Sequence, residues 1–173
     1  LEEEDGRNKT IIGIDRENKW ISAIVVQKKG VNSYAVEAIG KEVGNSGFNR
    51  VIMKSDQEPA IRALLQAVKN ERVEEICIEK IEMVPEKSPA SESRANGEIE
   101  RYVQTAQGQV RTLKTAMETR YHRKIGEEHN ILLWLIMYAA MLINLGNVGE
   151  DGKTAYERRR GKKFKRELPE FAE

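Results

Sequence analysis

The sequence predicts an α/β fold, and three features of it do so. Short apolar, β-branched runs alternate with helix-period segments from Thr10 onward. Clusters of glycine, asparagine and serine punctuate them. Two long helix-period segments then close the chain, which places late helices on one side of a sheet.

Taken in order, Thr10-Ile-Ile-Gly-Ile reads as a strand, Asp15-Arg-Glu-Asn-Lys as a polar turn, and Trp20-Ile-Ser-Ala-Ile-Val-Val as a second strand, making a hairpin. Gly30 breaks it. Asn32 or Ser33 caps a helix with Tyr34, Val36, Ala38, Ile39 and Val43 as its apolar positions, and Gly44-Asn-Ser-Gly ends that helix. Arg50-Val-Ile-Met-Lys-Ser reads as a short buried strand. Asp56-Gln-Glu-Pro opens a helix whose apolar face is Ile61, Leu64, Leu65 and Val68. Val73 to Met83 alternates like a strand, and Val84 to Gly97 reads as a loop. Helices follow over about 98 to 124 and 129 to 145. Residues 1–148 form the expected core and 149–173 a basic, polar tail.

Charged residues are 33% of the chain, yet the formal net charge is only +1, so any nucleic-acid signal has to come from local patches. One cysteine excludes a disulfide framework, and one cysteine with two histidines excludes a zinc finger within this chain. Cys77 reads as a small core residue, Trp20 and Trp134 as core, and His122 and His129 as surface or interhelix residues without metal-ligand spacing. The apolar run Ile131 to Leu145 is shorter than the roughly 18 residues that argue a membrane span, so it reads as a buried helix. No secretory leader is visible, and an intracellular protein is expected. Leu1 in place of a methionine reads as the start of a piece of something longer.

Three places carry candidate chemistry. Asp56 lies where a strand ends and a helix begins, which is where sites form in α/β sheets; an N-cap is the plainer reading of the same residue. Glu100, Gln104, Gln107, Arg111 and Lys114 recur at steps of four and three, making a polar stripe beside the apolar face Ile99, Tyr102, Val103, Ala106, Val110, Leu113 and Met117. Such a stripe is what a helix lying along a phosphate backbone presents; a solvated face is the alternative. Glu157-Arg-Arg-Arg-Gly-Lys-Lys-Phe-Lys-Arg166 is a dense basic run, either a phosphate contact or a solubilising tail.

The ordered set resembles the catalytic core of retroviral and retrotransposon integrases of the eukaryotic retroelement polyprotein type. Lys54-Ser-Asp56 is similar to the family's second catalytic aspartate. Ser93-Arg-Ala-Asn-Gly97-Glu-Ile-Glu100-Arg is similar to its Asn-Gly-x-x-Glu motif, which matches Glu100 to the catalytic glutamate. Lys29 to Ile39, Gly108-Gln-Val-Arg-Thr-Leu-Lys and Asp151 to Phe164 also look like integrase segments, so the resemblance spans about residues 10 to 166.

The resemblance implies a ribonuclease-H-like mixed sheet flanked by helices, DNA strand transfer, and a two-metal mechanism with Mg2+ or Mn2+ on Asp56 and Glu100. DNA and further copies of the chain are the implied partners, no membrane is, and the location is nuclear or cytoplasmic. Gln104, Gln107, Arg111 and Lys114 become the expected DNA contacts, while Glu98 serves the helix N-terminus. Glu92 ranks behind Glu100 because it lacks the Gly-x-x-Glu context. The fold implied has three strands before its first helix, and only two apolar runs precede Gly30. The first strand, with its aspartate, is therefore expected upstream of Leu1; Asp15, in the hairpin turn, is the weaker candidate for the third carboxylate. Such a chain is expected to have little strand-transfer activity of its own, and an exposed sheet edge would make it prone to associate.

Overall fold

The computed structural model describes residues 9–28, 30–55, 58–70, 81–87, 93–168 and 171 of the 173-residue chain, with the backbone alone at 85, 87 and 93–96. The element order is β1 (Lys9–Asp15), β2 (Trp20–Val26), α1 (Ser33–Gly44), β3 (Arg50–Ser55), α2 (Pro59–Asn70), β4 (Glu82–Lys87), α3 (Ser93–Tyr121), α4 (Ile131–Gly146) and α5 (Ala155–Arg160). The chain divides into two compact units, Leu1–Val25 with Gly97–Glu173, and Val26–Asn96.

In the first unit β1 and β2 pair as a two-stranded sheet. The four residues between them reach only an antiparallel neighbour. Asp15 organises that turn: Oδ1 accepts from the Glu17 N–H (2.9 Å) and the Asn18 N–H (3.2 Å), and Oδ2 accepts from Asn18 Nδ2 (2.8 Å). The core of this unit joins Ile21 of β2, Ala106 of α3, and Ala140 and Ile143 of α4, with Ile12, Ala23 and Tyr102 packed against them. Asn144 is buried beside this cluster, and its amide is paired with the backbone of Ile21. The helix expected over 129–145 is α4, but it buries only one face, through Leu135, Ala139, Ala140, Ile143 and Asn144. Trp134, expected in the core, is 63% exposed on the opposite side.

The basic segment after Gly149 holds α5. Thr154 and Glu157 make a reciprocal cap: Thr154 Oγ1 accepts from the Glu157 N–H (3.1 Å) and Glu157 Oε2 accepts from the Thr154 N–H (2.8 Å). Gly161 closes the helix at φ 66, a conformation that suits glycine. Arg158 pairs with Asp151, and its Nη1 donates to the Asn18 carbonyl at 3.5 Å. The Arg159 guanidinium lies 4.4 Å from the centroid of the half-buried Trp20 ring.

The second unit is built on a βαβ motif, in which β3 and β4 pair in parallel and α2 crosses between them. Arg50 aligns with Glu82 and Ser55 with Lys87. Leu64, Val68 and Met83 are buried, as are Ala35, Val36 and Ile39 of α1. Asn32 caps α1, its side chain accepting from the Ala35 N–H at 2.8 Å. Gly30, at φ 121, makes the entry to that helix in backbone space that side chains disfavour.

Several expectations need correcting here. Tyr34 is exposed, and Ala35 takes the buried position. β3 has the expected bounds but is not buried: inward and outward residues alternate, and Ile52 is 54% exposed. Of the strand expected over Val73 to Met83, only Glu82 and Met83 are described as strand, in β4 (Glu82–Lys87); residues 71–80, with Cys77, lie outside the described residues. Val84 to Lys87, expected as loop, belongs to β4, whose pairing with β3 is flanked by two ion pairs in register: Lys54 Nζ meets Glu86 Oε1 at 3.4 Å and Arg50 Nε meets Glu82 Oε2 at 3.5 Å. Helix α3 begins at Ser93, earlier than expected, and runs through Asn96-Gly97.

Candidate nucleic-acid interface

α3 is amphipathic for a reason visible in its composition. Ala106 and Met117 are buried, with Tyr102, Val103, Val110 and Leu113 half-buried on the same side. Ile99, expected on that face, is 40% exposed. Beside the apolar face, Glu100, Gln104, Gln107 and Arg111 are all exposed. Lys114 is partly covered, with its Nζ 4.0 Å from Glu118 Oε1. The stripe therefore presents a carboxylate at one end, two amides, and two cations along the helix. A third side of the helix carries Thr105, Thr112 and Thr119, whose hydroxyls donate to the carbonyls of Arg101, Gly108 and Thr115 at 2.9, 3.1 and 2.9 Å. These hydroxyls are turned to their own helix and offer little to a ligand.

α3 is tied down near both ends of the stripe, at its N-terminal end from another side of the helix. Because α3 starts at Ser93, Glu98 is not a first-turn acid, and the expectation that it serves the helix N-terminus fails. Its carboxylate meets Arg16 Nε at 3.1 Å and Lys19 Nζ at 3.0 Å, joining α3 to the β1–β2 turn. Lys19 sits at φ 59 in that turn. At the far end Glu118 accepts from the Ile125 N–H (2.9 Å) and from Lys124 Nζ (3.0 Å). The backbone bond from Ile125, then Lys124, holds the Glu118 carboxyl below its ordinary value. Neither role is legible in the sequence. The local context of Glu98 points to a cap, and the local signal of Glu118 is an i,i+4 pair with Lys114, while its shorter bonds come from Lys124 and Ile125 on the loop beyond the helix.

Asp56 and Glu92 lie outside the described residues. Asp15 is where its sequence context puts it, in the turn, with both carboxylate oxygens accepting hydrogen bonds. Among the described residues no three histidine, cysteine, aspartate or glutamate side chains gather as a ligand set. Glu100 is a suitable hard oxygen donor, but these residues alone do not compose a metal site. Among them, too, no helix is long and apolar enough to cross a membrane.

No family model matches the chain, and no curated protein does. Solved structures do. The chain is similar to the HTLV-2 integrase catalytic core domain, solved in complex with magnesium in a trimeric form, with a TM-score of 0.56 and 14% identity over 92% of this chain and 90% of that one. It is also similar to a chain of the simian T-cell lymphotropic virus intasome in complex with PP2A regulatory subunit B56 gamma, with a TM-score of 0.57 and 15% identity. There it covers 95% of this chain but spans only 54% of the other. At such identities the likeness establishes the fold: that of an integrase catalytic core, a mixed α/β, ribonuclease-H-like architecture.

Proposed function

We propose that this chain is an integrase-type core that engages the phosphate backbone of duplex DNA along α3. In this reading Glu100 and Asp56 are carboxylates of a phosphoryl-transfer site, where a DNA 3′-hydroxyl or water attacks phosphorus. The observation that carries it is the exposed stripe Glu100, Gln104, Gln107 and Arg111, on a helix anchored near both ends, in a chain with the fold of integrase cores. Amide and guanidinium donors spaced one helical turn apart suit successive phosphates, and such contacts position DNA without reading its sequence. Magnesium, present with the HTLV-2 core, makes Mg2+ or Mn2+ the cation to supply. The trimeric core and the intasome extend the reading to self-association, which sedimentation of the purified chain would check.

The test is DNA strand transfer by the purified chain with Mg2+ or Mn2+. The reading expects only a weak metal-dependent product from this chain, lost in Asp56→Asn and in Glu100→Gln and retained in Asp15→Asn. Cleavage confined to an RNA–DNA hybrid would move the assignment to a ribonuclease H.

One observation favours a second reading, DNA binding without catalysis. Asp15, the weaker candidate for a third carboxylate and the one within this sequence, has both oxygens engaged in its own turn. This reading expects salt-sensitive DNA binding that survives Asp56→Asn with Glu100→Gln, and no product from the wild-type chain.

A further inference from the structure

The run of cations at the end of the chain divides into two groups. Arg158 and Arg159 are structural: the first pairs with Asp151 and reaches the Asn18 carbonyl, and the second covers Trp20. Arg160, Lys162, Lys163, Lys165 and Arg166 are exposed. The backbone that carries Arg160, Lys162 and Lys163 is held from both sides, and Lys165 and Arg166 follow directly on the second anchor. The Thr154–Glu157 cap and Gly161 define α5, and Phe164 folds back so that its ring meets Tyr156 edge-on, with centroids 5.4 Å apart and planes at 81°. The acids close by are Glu157, which serves the cap and lies near enough to Lys163 to feel its charge, and the exposed Glu167.

We propose that Arg160, Lys162, Lys163, Lys165 and Arg166 form a second nucleic-acid phosphate-binding surface, presented on a folded scaffold. It rests on the reading above only for its partner, DNA, and uses none of the α3 residues. The structure favours a nucleic acid over the other polyanions. The one aromatic in the run, Phe164, packs against Tyr156 and offers no wedge to a lipid surface. The same packing keeps the segment from the extended form in which a basic peptide is usually read by a receptor. Several cations on a fixed backbone lose less conformational entropy on meeting phosphates than the same cations on a loose tail.

The experiment is the salt dependence of duplex DNA binding by the full chain. Four proteins are compared: wild type; Arg160→Gln, Lys162→Gln, Lys163→Gln and Lys165→Gln combined; Arg111→Gln with Lys114→Gln; and the charge-keeping Lys162→Arg, Lys163→Arg and Lys165→Arg combined. Removing one cation–phosphate pair makes the log–log slope shallower by about 0.9. The four-site glutamine variant is therefore expected to lose roughly 2 to 4 from the slope while the charge-keeping variant keeps it. All the changes are at exposed or partly covered positions, and circular dichroism melts serve as the folding control. An unchanged slope in the four-site variant, with a shallower one in the α3 variant, overturns this proposal and leaves the α3 reading standing. The reverse pattern supports this proposal and removes the α3 reading. No DNA binding by the wild-type chain overturns both. Tight wild-type binding to phosphatidylserine vesicles, with a DNA slope indifferent to the four changes, assigns the surface to lipid and overturns the proposal.

Discussion

Asn144 and Ile21 exchange two hydrogen bonds across 123 positions of sequence: the Ile21 N–H donates to Asn144 Oδ1 and Asn144 Nδ2 donates to the Ile21 carbonyl, each at 2.8 Å. The amide thus takes the place of a neighbouring strand at this point of β2. Asn144 is only 2% exposed, so its polar atoms are buried and also satisfied.

Asn144→Ala leaves an N–H and a carbonyl of β2 without that partner, in a buried setting. Each orphaned group costs about 1–3 kcal/mol, so the variant is expected to lose roughly 2–4 kcal/mol in urea unfolding. Asn144→Asp keeps the acceptor but sets a carboxylate against the Ile21 carbonyl. It is expected to be destabilised, and less so at acid pH, where the protonated acid donates in place of the amide. A loss below about half a kcal/mol for Asn144→Ala would remove the pairing from the account of stability.

Gly97 separates the expected helix start from the observed one. It lies inside α3, has no positive φ, and a Cβ placed there meets nothing within 4 Å. Gly97→Ala is therefore expected to stabilise the chain by about 0.5–1 kcal/mol, through helix propensity and a less flexible unfolded state. Destabilisation in the same measurement would return Asn96-Gly97 to a turn.

Asp151 responds to acid. The hydrogen bond from Arg158 is the main cause that lowers its carboxyl from 3.8 to about 2. A depressed carboxylate contributes stability that is present above its unfolded value and disappears as pH falls through the folded one, so the window is pH 3.8 down to about 2. A Cβ on Gly149 would collide with the Arg158 guanidinium and displace it. Gly149→Ala is expected to move the Asp151 titration, followed by NMR of the side-chain carboxyl, back toward 3.8. A titration that stays near 2 in this variant would mean the pair tolerates the displacement.

Much of the architecture is legible locally. The Asp15 turn, the bounds of β3 and the start of α2 near Pro59 each follow from a few adjacent residues. What escapes a sequence reading depends on partners far along the chain. Glu82 to Lys87 carries a proline and charges, and becomes a strand only when β3 supplies the hydrogen bonds and two opposite charges. Ser93 to Gly97 looks like turn material, and glycine costs a helix only about 1 kcal/mol, which a long α3 absorbs. Trp134 reads as core because helical periodicity in an almost wholly apolar segment does not say which side is covered. Within the candidate interface, the stripe on α3 is legible from spacing alone. The ties that hold it, Glu98 to Arg16 and Lys19 and Glu118 to Ile125, are not, because each joins different elements.

Site-specific photocrosslinking of the chain to duplex DNA tests whether the stripe on α3 faces the backbone. One photoreactive side chain replaces Gln107, on the stripe; another replaces Thr112, exposed well round the helix from it. Strong crosslinking from position 107, quenched by salt, is expected, with little from 112. Equal yields from both, or a higher yield from 112, would contradict the assignment of the stripe as the DNA-facing side of α3.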